Sequence, residues 1–172
     1  MLDLTGKWVL ITGASRGIGR LSARFMAEQG CNLILHSRKK EGTEELVKEV
    51  QSMGVKAFSV SAELSDMAQV DAMLKAIDES GVRVDVVLNN AGLQIAYRTE
   101  YLATPMDDYD KSFLINTMAP MKICYHFLPK MIERGFGRIV NTTSGIALEA
   151  EQAGYSASKA ALNKVTIDLG YK

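Results

Sequence analysis

Short apolar runs, each followed by a longer amphipathic stretch, constrain this chain more than any other feature. The runs are Trp8–Thr12, Asn32–His36, Ala57–Val60, Val84–Leu88 and Arg138–Asn141. They are brief and rich in Val, Leu and Ile, as strands covered on both faces require. Between them, Ile18–Gln29 carries Ile18, Leu21, Phe25 and Met26 at helical spacing, with Gly30 where a C-cap belongs. Glu44–Met53 sets Leu46, Val47 and Val50 on one side and ends at Gly54. Ser65–Glu79 opens on a capping residue, Ser65, and aligns Val70, Met73, Leu74 and Ile77. Pro105–Glu133 predicts one bent helix or two, with Pro120 and Pro129 near a kink or an end. Ala153–Leu169 is the last helical stretch. This alternation predicts right-handed crossovers and an α/β, doubly wound parallel sheet with helices on both faces. Such sheets bind ligands at the carboxyl ends of their strands, so functional residues are expected just after the apolar runs.

Composition narrows the function classes. The 172 residues predict a single domain, 1–172, and a hydrophobic fraction of 47% with 23% charged residues excludes disorder. Twenty basic residues balance twenty acidic ones, with no basic run, which argues against nucleic acid or an anionic membrane as partner. No apolar stretch approaches the ~18 residues of a membrane helix. No basic n-region or small-residue cleavage site precedes Trp8, so no secretory leader is expected. Cys31 and Cys124 are too few for a disulfide framework and predict buried free thiols in a reducing cytoplasm. His36 and His126 stand apart, which leaves no zinc spacing, and His36 reads as a strand-end packing residue.

The first strand runs into Thr12-Gly13-Ala14-Ser15-Arg16-Gly17-Ile18-Gly19, where a helix begins. Glycines let the backbone turn tightly against a pyrophosphate, and the free N–H groups of the helix start face its oxygens. The spacing is G-x-x-x-G-x-G; alone it is equally a plain strand-to-helix turn, but after the first strand of a βα alternation it reads as dinucleotide binding. The second strand ends Ser37-Arg38-Lys39-Lys40, where an acidic residue would accept bonds from a free ribose 2′-hydroxyl. The hydroxyl and positive charge found there suit a 2′-phosphate, and Arg16 points the same way, so NADP is favoured over NAD. The competing reading of these residues is a set of solvated surface cations.

With these motifs the chain resembles the short-chain dehydrogenase/reductase family over essentially its whole length. Thr12–Gly19 matches the TGxxxGxG cofactor loop, Asn89-Asn90-Ala91-Gly92 the NNAG motif, and Tyr155-Ser156-Ala157-Ser158-Lys159 the YxxxK motif. Ser144 follows the fifth strand, where the family has its catalytic serine, and Asn116 lies in the long helix, where the family has its catalytic asparagine. The resemblance implies a Rossmann-type sheet of strand order 3-2-1-4-5 and hydride transfer between a nicotinamide and a ketone or secondary alcohol. It implies a catalytic set of Asn116, Ser144, Tyr155 and Lys159. It also implies cofactor contacts from Gly13, Ser15, Arg16, Gly17, Ile18, Gly19, Ser37, Arg38, Glu63, Leu64, Asn90, Ala91, Gly92, Tyr155 and Lys159.

The residue chemistry agrees with these implied roles. Tyr155 and Lys159 are a helical turn apart and share a face, and an ammonium near a phenol stabilises its phenolate. The family's lysine also bonds the nicotinamide ribose, its serine orients the substrate oxygen, and its asparagine holds a water linking lysine to solvent. Asn116 could instead bond the backbone at a helix irregularity. Where the family usually has an aspartate against the adenine amino group, this chain has Glu63, followed by Leu64 as a backbone contact. Asn89 is expected to tie the fourth strand to its neighbours. The step from Ser144 to Tyr155 is short for the family, and its loop, with Glu149, Glu151 and Gln152, is expected to flank the substrate and to disfavour a strongly anionic one.

Family members run to roughly 250 residues as one domain, so the resemblance implies a chain truncated at its C-terminus. The fifth strand is then expected to be an open edge, with apolar surface uncovered on the long and last helices. Substrates of the family include 3-oxoacyl thioesters, sugar acids and polyols, and a homodimer or homotetramer through the motif-bearing helices is implied. The alternative is a catalytically silent NADP(H)-binding module, or a piece that needs a partner.

Overall fold

The computed structural model describes residues 3–95, 100–148 and 153–170. Its elements alternate as β1 (Trp8–Ile11), α1 (Gly17–Glu28), β2 (Asn32–Ser37), α2 (Glu41–Ser52), β3 (Ala57–Ser61), α3 (Met67–Glu79) and β4 (Val84–Asn89). A 3-10 turn (Tyr101–Ala103), α4 (Met106–Phe113), a π turn (Leu114–Met118), α5 (Ala119–Glu133), β5 (Arg138–Asn141) and α6 (Ala153–Leu169) follow. The sheet runs β3-β2-β1-β4-β5 and every pairing is parallel, as expected.

Strand alternation divides the core in two. Val9, Ile11, Leu33 and Leu35 face Ala23 and Ala27 of α1 and Leu46 and Val50 of α2. Leu10, Ile34, Val60 and Val87 face α3, through Val70, Met73, Leu74 and Ile77, and α5, through Ile123, Phe127 and Met131. The switch of helices from one face to the other falls between β1 and β4, and it opens the crevice above their carboxyl ends.

The structure departs from several of these expectations. Most of the apolar stripe of α1 stays outside the core: Ile18, Leu21 and Phe25 are 67, 62 and 60% exposed, while Met26 packs against it. Gly19, Ala23 and Ala27 face the sheet instead, because small residues let this helix lie close to the strands. Asp66, not Ser65, caps α3, accepting hydrogen bonds from the Ala68 and Gln69 N–H groups. The stretch from residue 106 to 133 is two helices joined by the π turn. Pro120 has no N–H to offer the Asn116 carbonyl, and the Ala119 N–H reaches back five residues to Leu114 O. Pro129 lies inside α5 without ending it.

At the far side of the sheet, nothing among the described residues pairs with the outer edge of β5, and Val140 is 52% exposed. Tyr125 and Ile132 on α5 and Ile167 on α6 are more than half exposed as well. Among the described residues no helix is long and apolar enough to cross a membrane.

Candidate active site

Two loops meet at the carboxyl ends of β1 and β4. The Thr12 hydroxyl accepts hydrogen bonds from the N–H groups of Asn90 and Ala91, each 3.0 Å away. In return the Asn90 side chain donates to Thr12 O at 3.1 Å and Gly13 O at 3.4 Å. The glycines are dictated by this closeness. Gly13 has φ +68°, and a Cβ there would lie 2.9 Å from the Ala91 Cα. A Cβ on Gly19 would run into the Gly13 carbonyl and come within 2.6 Å of the Asn90 amide nitrogen. Beyond the elbow, Arg16 is extended and exposed, and no side chain caps α1 or brings negative charge to its first turn. The helix start therefore presents bare N–H groups and a positive dipole end beside Ser15, Gly17 and the exposed Ile18, which fits the diphosphate of a dinucleotide.

The ends of β2 and β3 lie beside this elbow. Arg38 is exposed; Ser37 is buried and its hydroxyl donates to Lys39 O at 2.5 Å, so its proton shapes the turn. Glu63 bends back on its own loop, with Oε1 accepting from the N–H and hydroxyl of Ser65 at 3.2 and 3.1 Å. Leu64 is buried.

Of the expected catalytic residues, Lys159 and Asn116 meet beside Gly92, just after β4. Lys159 is 3% exposed, donates to Thr142 O at 2.6 Å, and has its pKa drawn below the ordinary lysine value by burial. A Cβ on the exposed Gly92 would stand 3.5 Å from Lys159 Nζ and 3.4 Å from Asn116 Oδ1, so both side chains face this one glycine. Asn116 sits in the π turn; its Oδ1 accepts from the Leu93 N–H at 2.8 Å, and its Nδ2 donates to Leu93 O at 2.9 Å and Ser158 Oγ at 3.0 Å. Thr117 Oγ1 donates to Ser158 O, and Ser158 Oγ donates to Tyr155 O, at 2.8 and 2.7 Å. Gly154 lets α6 approach α4 closely, since a Cβ there would lie 2.9 Å from the Tyr109 Cα. Tyr155 follows, half-buried, in the first turn of α6. Ser144, half-buried beyond β5, accepts from the Ile146 N–H at 3.3 Å. No hydrogen bond joins Ser144 to Tyr155 among the described residues. Glu149, Glu151 and Gln152 lie outside them.

Supporting groups complete the arrangement. Asn89 is buried and donates to Asn141 Oδ1 at 2.9 Å, tying β4 to β5 as expected. Cys124 lies beside it, its thiol pushed up to about 11 by burial, and both cysteines are free and buried. Thr12 and Ser158 stand in the cofactor-loop and YxxxK motifs but outside the expected site set; the pattern that reveals them is bonding across the chain rather than spacing. Among the described residues no three metal-ligating side chains converge.

The comparisons agree with this geometry. A family model described as short chain dehydrogenase matches residues 7–171. The ketoacyl reductase HetN of Nostoc sp. is 35% identical over 167 residues, covering 94% of this chain and 56% of its own length. A metagenomic short-chain oxidoreductase solved in complex with NADP has a TM-score of 0.89 at 30% identity, over 97% of this chain and 76% of its own. An NAD+-bound xylitol dehydrogenase has a TM-score of 0.88 at 28% identity, over 99% of this chain and 67% of its own. The chain thus spans little more than half the length of the Nostoc relative. With a glycine elbow zipped to the NNAG loop and a YxxxK helix turned toward it, the chain belongs to the short-chain dehydrogenase family.

Proposed function

We propose that residues 1–172 form one NADP-binding domain carrying the catalytic side chains of an oxidoreductase that interconverts a ketone and a secondary alcohol. The carrying observation is the buried Lys159 ammonium, turned toward Gly92 and Asn116 at the carboxyl ends of the strands beside the glycine elbow. Gly13, Ser15, Arg16, Gly17, Ile18 and Gly19 hold the diphosphate; Arg38 and Arg16 meet the 2′-phosphate; Glu63, Leu64, Asn90, Ala91 and Gly92 line the adenine and ribose side. When bound, the nicotinamide gives or accepts the hydride. Tyr155 gives or takes the proton at the substrate oxygen, and Lys159 stabilises the phenolate side of that exchange. Ser144 orients the substrate oxygen by hydrogen bonding. Asn116 fixes the π turn against Leu93 and, with Lys159, frames the place for a water leading to solvent.

Arg38 at the end of β2, with no carboxylate there, supports NADP; solved relatives carry NADP in one case and NAD+ in another. The named relatives act on ketoacyl and polyol substrates, and both classes stay open for this chain. Buried free thiols support a cytoplasmic enzyme, and α4, α5 and α6 are the faces through which a homodimer or homotetramer would form. A second reading, an NADP(H)-binding module that needs a partner to turn over, is favoured by the unpaired edge of β5 and the 56% coverage of the Nostoc relative.

NADPH consumption with a panel of ketones separates the two readings. The oxidoreductase loses at least about a hundredfold in rate in Tyr155→Phe, whereas absence of turnover in the unsubstituted chain, with NADPH still bound, supports the module. Arg38→Asp shifts relative affinity toward NADH; an unchanged NADPH-to-NADH ratio removes Arg38 from the 2′-phosphate.

A further inference from the structure

His36 packs at the end of β2, and both of its ring nitrogens are engaged. Nδ1 lies 3.2 Å from the Gly13 N–H, which can only donate. Nε2 lies 3.0 Å from the Ala62 carbonyl, which can only accept. One proton arrangement satisfies both: a neutral imidazole with its hydrogen on Nε2. The residue's own carbonyl accepts from the Ala14 N–H at 2.8 Å, so His36 grips two successive amides of the elbow. The ring is 2% exposed and spans from the glycine turn to the end of β3, immediately before Glu63 and Leu64.

We propose that His36 is a positioning residue for the dinucleotide, a neutral strut that holds the diphosphate elbow at a set distance from the adenine-side loop and releases it when protonated. The inference rests on the dinucleotide reading above. An imidazolium carries hydrogen on both nitrogens and would set its Nδ1–H against the Gly13 N–H, donor against donor. Burial is the largest influence on the ring and holds its pKa below the ordinary 6.5; the Ala62 hydrogen bond and the field of Glu63 act the other way. Glu63, on the β3–α3 loop, is the charged group whose field reaches the ring. Arg16 from the elbow and Arg38, Lys39 and Lys40 beyond β2 are exposed, and Asp66 caps α3. The folded protein therefore binds fewer protons here than the unfolded chain. Its stability from this group is complete above pH 6.5 and is lost as pH falls through that value toward the lowered one.

Two substitutions dissect the strut. Asparagine keeps an acceptor near the place of Nδ1 and does not titrate; leucine removes both partners. Fluorescence titration with NADPH at pH 8 is expected to show His36→Leu about tenfold weaker than the unsubstituted chain and His36→Asn within about threefold. Thermal unfolding identifies any variant that has lost its fold. Between pH 8 and pH 5 the unsubstituted chain loses more affinity than His36→Asn; the 2′-phosphate, which titrates near pH 6, is common to both and cancels. Nitrogen-15 NMR of the unsubstituted, ligand-free chain reads the tautomer without any variant, and hydrogen on Nε2 at pH 8 is expected. Hydrogen on Nδ1, a His36→Leu variant that binds as the unsubstituted chain does, or equal acid losses in the unsubstituted chain and His36→Asn overturns the proposal. Failure of the unsubstituted chain to bind NADPH or NADH at pH 8 refutes the dinucleotide reading itself, a result distinct from these.

Discussion

Lys159 donates to Thr142 O from a position 3% exposed, and its removal from water disfavours the charged form. Between that lowered pKa and the ordinary 10.5, the folded chain binds fewer protons than the unfolded one. Stability therefore rises with pH through that window, and the penalty is fully present below it. In Lys159→Met this contribution to the slope disappears; denaturant unfolding between pH 7 and pH 10, read as the difference between the two proteins, measures it. Equal slopes would mean that the ammonium is not desolvated. Tyr155 and Lys159 were legible through the family resemblance, because its YxxxK motif is local in the sequence. The resemblance did not announce Ser158, which links the two helices carrying Asn116 and Tyr155, nor Thr12, whose hydroxyl serves amides far along the chain. Such bonds leave no periodic trace.

At the scale of elements, Asp66 shows how a one-residue error arises. Ser65 and Asp66 are both good caps, and sequence preference does not choose between neighbours. The choice falls to Asp66 because its carboxylate reaches two N–H groups of α3, while the Ser65 hydroxyl is held by Glu63. Asp66→Ala is expected to lower Tm by a few degrees and Ser65→Ala by less, as differential scanning calorimetry would show. The strands were legible to within a residue at their ends, because Val-, Leu- and Ile-rich runs bounded by polar residues have few other homes. The helix α2 starts earlier than its apolar pattern, at Glu41, since Glu41, Gly42 and Glu44 of its first turn are exposed and the residue buried there, Thr43, is polar. The π turn was visible only as Pro120. A missing N–H announces an irregularity but not its register. Its placement under Asn116 aims that side chain at Leu93 and Ser158, and a regular α-helix would carry it elsewhere.

For the molecule as a whole, the sheet is enclosed on both faces at β1 and β2 and thins out at β5. The exposed stripe of α1, the 52% exposed Val140 and the groove of about 650 Å3 between α5, β5 and α6 lie on its surface. An unpaired strand with an apolar side is a template for another chain. Residues 1–172 on their own are expected to associate with rising concentration, and Val140→Lys, which sets a charge beside the open edge, is expected to suppress this. Analytical ultracentrifugation across a hundredfold concentration range decides it, and a Val140→Lys protein that associates as before would remove β5 as the contact. The same edge bears on the catalytic end. Ser144 and the Thr142 carbonyl that receives Lys159 both hang from β5. Amide hydrogens along the sheet should therefore exchange with deuterium in a gradient, slowest at β1 and β2 and fastest at β5. Whatever covers that outer strand would quieten the floor of the candidate site without touching any of its side chains.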